Sequence, residues 1–382
     1  MPADVTAPVL NWANFNTNFD LSSGNGSINL SVSITEDLSG LRNVGFGFFN
    51  VKDIFTKGYE AFAIYNMWGA NGTVEGSDTG TVNQYSPRGV YALAAISLTD
   101  QVGNTRSILA EEALAMGVPV QIVLHDGGIN VASPTLGSDQ IIATGFNDFL
   151  KGYSGDDLLS GQSGTDSLEG GTGNDTLIGG EGADFIDGGT GIDTASWRSA
   201  AVRLSLNLSD QTRNGGSATG DVIYAVEAFD LTDFNDAFVG YNSAVRLYGH
   251  QGADRLTGSS KSDTISGGLG IDTLQGGSGR DTFVFEQKDT SSSKRNADYI
   301  SDFKGKSGDR IDLKFIDANL QKAGNQGFAF VGTKAFTKAG QVRYEKTSKD
   351  TYVFFNTDAD KSAEGVIRLK GVIDLQKAWF IL

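Results

Sequence analysis

The sequence predicts an all-β protein in three parts: a β-sandwich over 1–133, a parallel β-roll over 134–285 and a β-rich cap over 286–382. Three observations carry this. Glycine and aspartate recur in ninefold register from 152 to 196 and again from 249 to 284. Stretches such as Ile28-Asn29-Leu30-Ser31-Val32-Ser33-Ile34 alternate apolar and polar residues, the mark of half-buried strands. A roll of repeats also ends in unpaired strand edges, so the chain that follows it must supply a cover.

In the first part, 90–98 places Val90, Ala92, Ala94, Ile96 and Leu98 on one face, and 118–124 reads as another strand. Asp, Gly, Asn and Ser clusters separate these runs, which favours a sandwich. Residues 107–116 fit a short helix. The stretch 42–68 is rich in rings: Phe46, Phe48, Phe49, Phe55, Tyr59, Phe62, Tyr65 and Trp68. Spacing of two fits strand residues of a core, and a binding surface for sugars or a partner is the other reading.

The repeat defines the second part. Five nonamers of the form G-G-x-G-x-D-x-U-x begin at Gly152, Gly161, Gly170, Gly179 and Gly188. Gly171, Gly180 and Gly189 stand at position 2, and Gly155, Gly164, Gly173, Gly182 and Gly191 at position 4. Position 6 is Asp157, Asp166, Asp175, Asp184 and Asp193; position 8 is Leu159, Leu168, Leu177, Ile186 and Ala195. The register runs back through Asp148 and Asp139, with Phe146 and Pro134 replacing glycines. Six residues make a turn, where glycine accepts φ > 0. Three make a short strand whose middle side chain faces the core. Two nonamers form one coil, so loops two apart stack about 4.8 Å from each other.

Stacking puts carboxylates in columns, which repel by roughly 3.5 kcal/mol per pair at an effective dielectric of 20. Carboxylate and carbonyl oxygens, with no sulfur or imidazole, are hard ligands suited to Ca²⁺. The expected pairs are Asp139 with Asp157, Asp157 with Asp175, Asp175 with Asp193, Asp148 with Asp166, and Asp166 with Asp184. Loop carbonyls complete each shell, giving about seven or eight ions over both arrays.

Residues 197–248 break the register: Val202, Leu204, Leu206 and Leu208 alternate as a strand, and Asp221, Glu227, Asp233 and Asp236 are candidate extra ligands. The second array carries Gly249, Gly252, Gly267, Gly268, Gly270, Gly276, Gly277 and Gly279, with Asp254, Asp263, Asp272 and Asp281 at position 6. It predicts the pairs Asp254–Asp272 and Asp263–Asp281. Lys261 replaces a glycine, which puts one carbonyl of the latter site in question, and Val245 replaces an aspartate.

The nonapeptide is the repeat of RTX proteins, which resemble this chain over both arrays. The segments Asp281-Thr282-Phe283-Val284-Phe285, Asp298-Tyr299-Ile300-Ser301-Asp302-Phe303 and Gly308-Asp309-Arg310-Ile311-Asp312-Leu313 resemble the C-terminal domain of serralysin-type secreted proteases. So do Phe328-Ala329-Phe330-Val331-Gly332, Phe336 and Ala339-Gly340-Gln341-Val342-Arg343-Tyr344. In that family an apolar end such as Ala378-Trp379-Phe380-Ile381-Leu382 belongs to an uncleaved signal for the type I secretion apparatus; it also suits a last strand tucked against the cap. Asp4-Val5-Thr6-Ala7-Pro8, Thr35-Glu36-Asp37-Leu38-Ser39-Gly40 and Leu98-Thr99-Asp100-Gln101-Val102-Gly103-Asn104 resemble a bacterial immunoglobulin-like module of surface proteins. There Asp37, Asp100 and Asn104 could share a calcium ion or serve only as turn residues and caps.

Composition narrows the function. A formal net charge of −16 is wrong for a nucleic-acid surface. No cysteine occurs, which excludes disulfides, thiol catalysis and zinc–thiolate sites. Residues 1–8 have neither a basic region nor an apolar core, so no cleavable signal peptide is expected. No run is long enough for a membrane span. His125 and His250 are the two histidines, and neither stands in H-E-x-x-H. No G-x-S-x-G elbow has a suitable context. The resemblances imply a bacterial protein, secreted or surface-associated. The favoured reading is a roll that folds on Ca²⁺ outside the cell and a role in attachment to a cell surface, a matrix polysaccharide or a surface layer, with a carbohydrate or a cell surface as the candidate ligand. The rival readings are a hydrolase with a site in 1–133 and a self-assembling lattice protein.

Overall fold

The computed structural model describes residues 136–382 except 144 and 146, and the strands of 9–130; residues 1–8, 19–24, 37–40, 51–60, 66–71, 84–88, 101–104, 110–120, 126–127 and 131–135 are not described. The chain separates into two compact units, 1–193 and 194–382.

In the first unit, the N-terminal strands form two antiparallel sheets. One orders Val9–Asn18, Asn25–Glu36 and Gly72–Asn83. The other orders Ala61–Tyr65, Leu41–Asn50, Gly89–Asp100, Gln121–His125 and Gly128–Asn130. The alternating runs at 28–34 and 90–98 lie inside two of these strands. Part of the expected helix at 107–116 is instead the strand Thr105–Leu109, antiparallel to Gly89–Asp100. Partner hydrogen bonds on that neighbouring strand outweigh a weak local preference for helix. Residues 110–116 lie outside the described residues, as do Asp4 to Pro8, Asp37, Asn104, Phe55, Tyr59 and Trp68. Backbone register pairs Phe46 with Ile64 and Phe48 with Phe62.

After these sheets the pairing becomes parallel, at the spacing the repeat demands. Gln140–Ile142, Leu158–Ser160 and Thr176–Ile178 form one ladder, with Leu159 opposite Leu177. Phe149–Ser154, Ser167–Thr172 and Phe185–Thr190 form the other, with Leu168 opposite Ile186. The position-8 residues Leu150, Leu159, Leu168, Leu177 and Ile186 are wholly buried. Each apolar side chain thus stacks on its equivalent 18 residues away, contributing about 1.5–3 kcal/mol.

The second unit repeats this device. Thr194–Ser196, Ala228–Asp230, Arg246–Tyr248, Thr264–Ser266, Thr282–Glu286 and Arg310–Phe315 pair in parallel in that order. Leu204–Asn207, Ala237–Val239, Arg255–Thr257, Thr273–Gln275, Asp298–Ile300 and Gly365–Lys370 form a second ladder. The expected strand through Val202 is shorter than its alternation: Leu204 and Leu206 are buried, but Val202 is exposed and lies before the strand.

The cap extends both ladders. Gly365–Lys370, Asp350–Asn356 and Gln341–Lys346 form an antiparallel meander on one. On the other, Phe380–Ile381 pairs in parallel with Ile311 and Asp312. Trp379 lies edge-on to Phe303 and over Gly305, where a Cβ would come within 2.2 Å of its ring. The C-terminal residues are therefore a structural strand of this fold. Among the described residues no helix is long and apolar enough to cross a membrane.

Candidate metal-binding loops of the roll

The loop aspartates are held by the backbone of a neighbouring coil. Asp166 Oδ1 accepts the Asp148 N–H at 2.7 Å, Asp175 Oδ1 that of Asp157 at 2.8 Å, and Asp184 Oδ1 that of Asp166 at 2.9 Å. Asp157 accepts from Asp139, and Asp193 from Asp175. In the second unit Asp272 accepts from Asp254, and Asp281 from Asp263. All seven pairs expected from the repeat are brought together.

These bonds occupy Oδ1 and leave Oδ2. The Oδ2 atoms of Asp157, Asp166, Asp175, Asp254 and Asp272 are buried and accept no hydrogen bond. A Cβ built on Gly161 would lie 2.3 Å from Asp166 Oδ2 and 2.6 Å from the Gly179 carbonyl oxygen. Gly152 and Gly170 show the same convergence on Asp157 and Asp175, and Gly249 on Asp254. A bare glycine face, a carboxylate oxygen and a carbonyl oxygen thus frame one cradle per loop.

The glycines have different jobs. Position 4 takes positive φ, as at Gly182 (+144°) and Gly191 (+146°). Position 2 does too, and Tyr153, Gln162 and His250 adopt the left-handed region there despite their side chains. Position 1 is absent from this set. Its glycine is required by crowding against Asp Oδ2, not by φ as the turn argument held.

Burial pushes the carboxyls of Asp166 and Asp254 up to about 8, and those of Asp157, Asp272 and Asp281 to about 6. The N–H bond to Oδ1 opposes this, and neighbouring carboxylates reinforce it. Repulsion within the column therefore exists, but loss of hydration is the larger cost.

Two aspartates that the repeat does not announce continue the columns. Asp298 Oδ1 accepts the Asp272 N–H at 2.9 Å, and Asp309 Oδ1 that of Asp281 at 3.3 Å. Asp298 Oδ2 is buried without a donor, and burial pushes its carboxyl up to about 8. Asp302 accepts the N–H groups of Gly276 and Gly277. The spacings of 26 and 28 residues hide these positions from a ninefold search. The visible signal is the triplet: Asp298-Tyr299-Ile300 and Asp309-Arg310-Ile311 repeat the Asp-x-apolar pattern of Asp272-Thr273-Leu274.

The spacer acids do not form one cluster. Asp221 accepts from Trp197 Nε1, Asp233 pairs with Arg198, and Asp236 accepts from Thr232. Asp236 nonetheless joins a column, since it accepts the Leu204 N–H and its own N–H reaches Asp254. His250 bonds Asp230, which also accepts from Ser196.

Together these loops and ladders define an RTX-like β-roll, a repeat domain of the calcium-binding kind. The chain belongs to the family described as Peptidase M10 serralysin C terminal, whose family model matches residues 136–382. Among solved structures it is similar to the AlgE6R2 subunit of the Azotobacter vinelandii mannuronan C5-epimerase, at 22% identity over 39% of this chain and 89% of that one, with a TM-score of 0.30. The AlgE6R3 subunit of that epimerase gives 27% identity over 36% and 71%, with a TM-score of 0.24. The extracellular lipase LipA from Serratia marcescens gives 18% identity over 66% and 40%, with a TM-score of 0.27. No curated protein matches.

Proposed function

We propose that this is a secreted protein whose roll folds on Ca²⁺ outside the cell, and that it acts in attachment to a cell surface, a matrix polysaccharide or a surface layer. One observation carries the calcium reading: buried carboxylate oxygens without donors recur at Asp157, Asp166, Asp175, Asp254, Asp272 and Asp298. Leaving such a group unsatisfied costs about 1–3 kcal/mol, more if charged. When bound, Ca²⁺ would supply the positive charge and oxygen coordination these loops lack.

The chain supplies the rest. Backbone N–H groups one coil away fix each Oδ1, so Oδ2 stays at the cradle. Position-1 glycines keep that cradle open, and left-handed backbone at positions 2 and 4 sets the turn. In the low calcium of a cell interior the open-loop oxygens of Asp157, Asp166, Asp175, Asp254 and Asp272 have no cation, which keeps the chain unfolded for a type I secretion apparatus. Outside, binding at a Kd of about 10⁻⁴–10⁻³ M drives folding. The serralysin-type C-terminal domain supports export.

Attachment is assigned to 1–133, whose strands pair separately from the roll ladders and whose sequence is ring-rich between 42 and 68. The test is retention of the calcium-loaded protein on bacterial cells and on immobilised polysaccharides. Saturable retention lost in EGTA supports the proposal. Turnover of a polysaccharide or peptide substrate would replace it with a hydrolase, and calcium-dependent growth in light scattering without a ligand would replace it with a lattice.

A further inference from the structure

We infer that the second unit carries a binding groove for a neutral polysaccharide on the outer face of one roll ladder. A cavity of about 400 Å³ reaches there from Arg198 to Lys288, with Tyr248 and Ser266 between them. Ligand sites ordinarily enclose about 300–1,000 Å³. Parallel pairing sets Asp230, Tyr248 and Ser266 at the same position of successive strands. Leu247 and Ile265 beside them are wholly buried, so this row points out of the roll. The row repeats about every 4.8 Å, close to the length of one sugar unit in an extended glycan.

Two observations point to a ligand. The first is backbone strain. Among the described residues five non-glycine residues take positive φ, and two of them, His250 (+68°) and Lys288 (+78°), line this cavity. His250 stands at position 2, where the next coil on that edge has Gly268. Its ring is fixed by Asp230, which also accepts from Ser196. Lys288 is held by a turn: the Asp289 N–H donates to the Glu286 carbonyl oxygen at 3.2 Å, and Asp289 Oδ2 accepts the Glu286 N–H at 2.5 Å. Glycine would make both turns with less strain, so these side chains serve something other than the fold, and such strain gathers at binding sites. The second is charge. Glu286 and Lys288 are exposed at one end, and Arg198, paired with Asp233, at the other. A polyanion would meet carboxylates and a polycation would meet Arg198 and Lys288. Sugar hydroxyls donate and accept at once, as do amide side chains such as Gln251 in the lining, and they suit a mixed surface. Tyr248, 41% exposed, gives the floor an aromatic face for the C–H side of a sugar ring. A peptide suits this face less: it joins sheets by adding a strand at a free edge, and Arg246–Tyr248 and Thr264–Ser266 are paired on both sides.

The groove belongs to the roll and is independent of attachment through 1–133. The experiment is calorimetric titration of the full-length protein, in calcium, with three neutral hexasaccharides: β-1,4-linked glucose, β-1,3-linked glucose and β-1,4-linked mannose. Polygalacturonate is the charged control, and far-UV circular dichroism in the same buffer checks the fold of each sample. The expected result is saturable binding of at least one neutral chain. Tyr248→Ala should weaken it about tenfold or more, and Lys288→Gly about three- to tenfold. Lys288→Gly relieves the left-handed backbone, so its loss of affinity is not a loss of fold. Absence of binding by all three neutral chains overturns the proposal, as does binding to polygalacturonate alone. Binding that survives both variants belongs to another part of the chain and overturns it too.

Discussion

The loops 161–166 and 258–263 have the same length and the same aspartate at position 6, yet they solve its burial differently. Asp166 and Asp263 each accept, through Oδ1, an N–H from 18 residues upstream, at 2.7 and 2.8 Å. At Asp166 the second oxygen has no donor. At Asp263 it accepts the Ser259 N–H at 2.6 Å, while Ser259 Oγ donates to Oδ1 at 2.9 Å and accepts from Lys261 N–H. Thr232 does the same for Asp236. A hydroxyl at position 2 thus closes the loop from within, whereas glycine or a left-handed residue such as Gln162 leaves it open to a cation. The roll contains loops that call for metal and loops that are satisfied without it.

The largest difference should appear at position 4. Gly182→Ala puts a Cβ 1.5 Å from the Gly164 carbonyl oxygen at φ +144°, and should cost about 3–5 kcal/mol in calcium. Lys261→Ala is at the exposed equivalent of a closed loop and should cost under about 0.5 kcal/mol. Urea melts of both variants check this, and equal losses would erase the distinction.

Calcium affinity should divide the two loops next. Asp166→Asn should weaken binding about 10–100-fold or more, the range already seen when groups behind a ligand are lost. Asp263→Asn should leave most affinity in place but lower stability by about 1–3 kcal/mol, since an amide NH₂ would meet the Ser259 N–H. Calorimetric titration with parallel melts separates the effects.

Acidity gives a third contrast. Carboxyls near 8 at Asp166, Asp254 and Asp298 lie above the free value of 3.8. These groups bind protons more tightly when folded. In EGTA their contribution is complete below about pH 4 and is lost as pH rises through about 8. With calcium the slope inverts, because metal binding requires the deprotonated form. In EGTA the far-UV β-signal should grow as pH falls from 8.5 to 5, and in calcium urea midpoints should rise from pH 5 to 8.5.

The smallest effect concerns His250. Its left-handed φ of +68° costs about 1–2 kcal/mol relative to glycine, and its contact with the Asp230 carboxylate returns up to about 1 kcal/mol. His250→Gly should therefore change stability by less than about 1.5 kcal/mol, in the stabilising direction.

Much of the roll was legible because one period fixed two things at once. Spacing of 18 dictated both the ladder of Leu159 on Leu177 and the carboxylate pairs. What escaped the sequence lay where chain length between coils changes: Asp298 and Asp309 keep the register only in space. The closed loops were illegible for another reason. Ser259 and Thr232 look like ordinary turn residues until the hydroxyl is seen on the aspartate. The strand at Thr105–Leu109 shows the converse, a local helical pattern overridden by a partner strand.

The central claim is that open-loop carboxylates make folding of the roll depend on calcium. The most direct measurement is a Ca²⁺ titration of EGTA-stripped full-length protein at pH 7.5, about neutral, followed by far-UV circular dichroism. A cooperative gain of β-signal on calcium is the predicted result. Full β-signal before calcium is added, unchanged at saturation, would contradict the account.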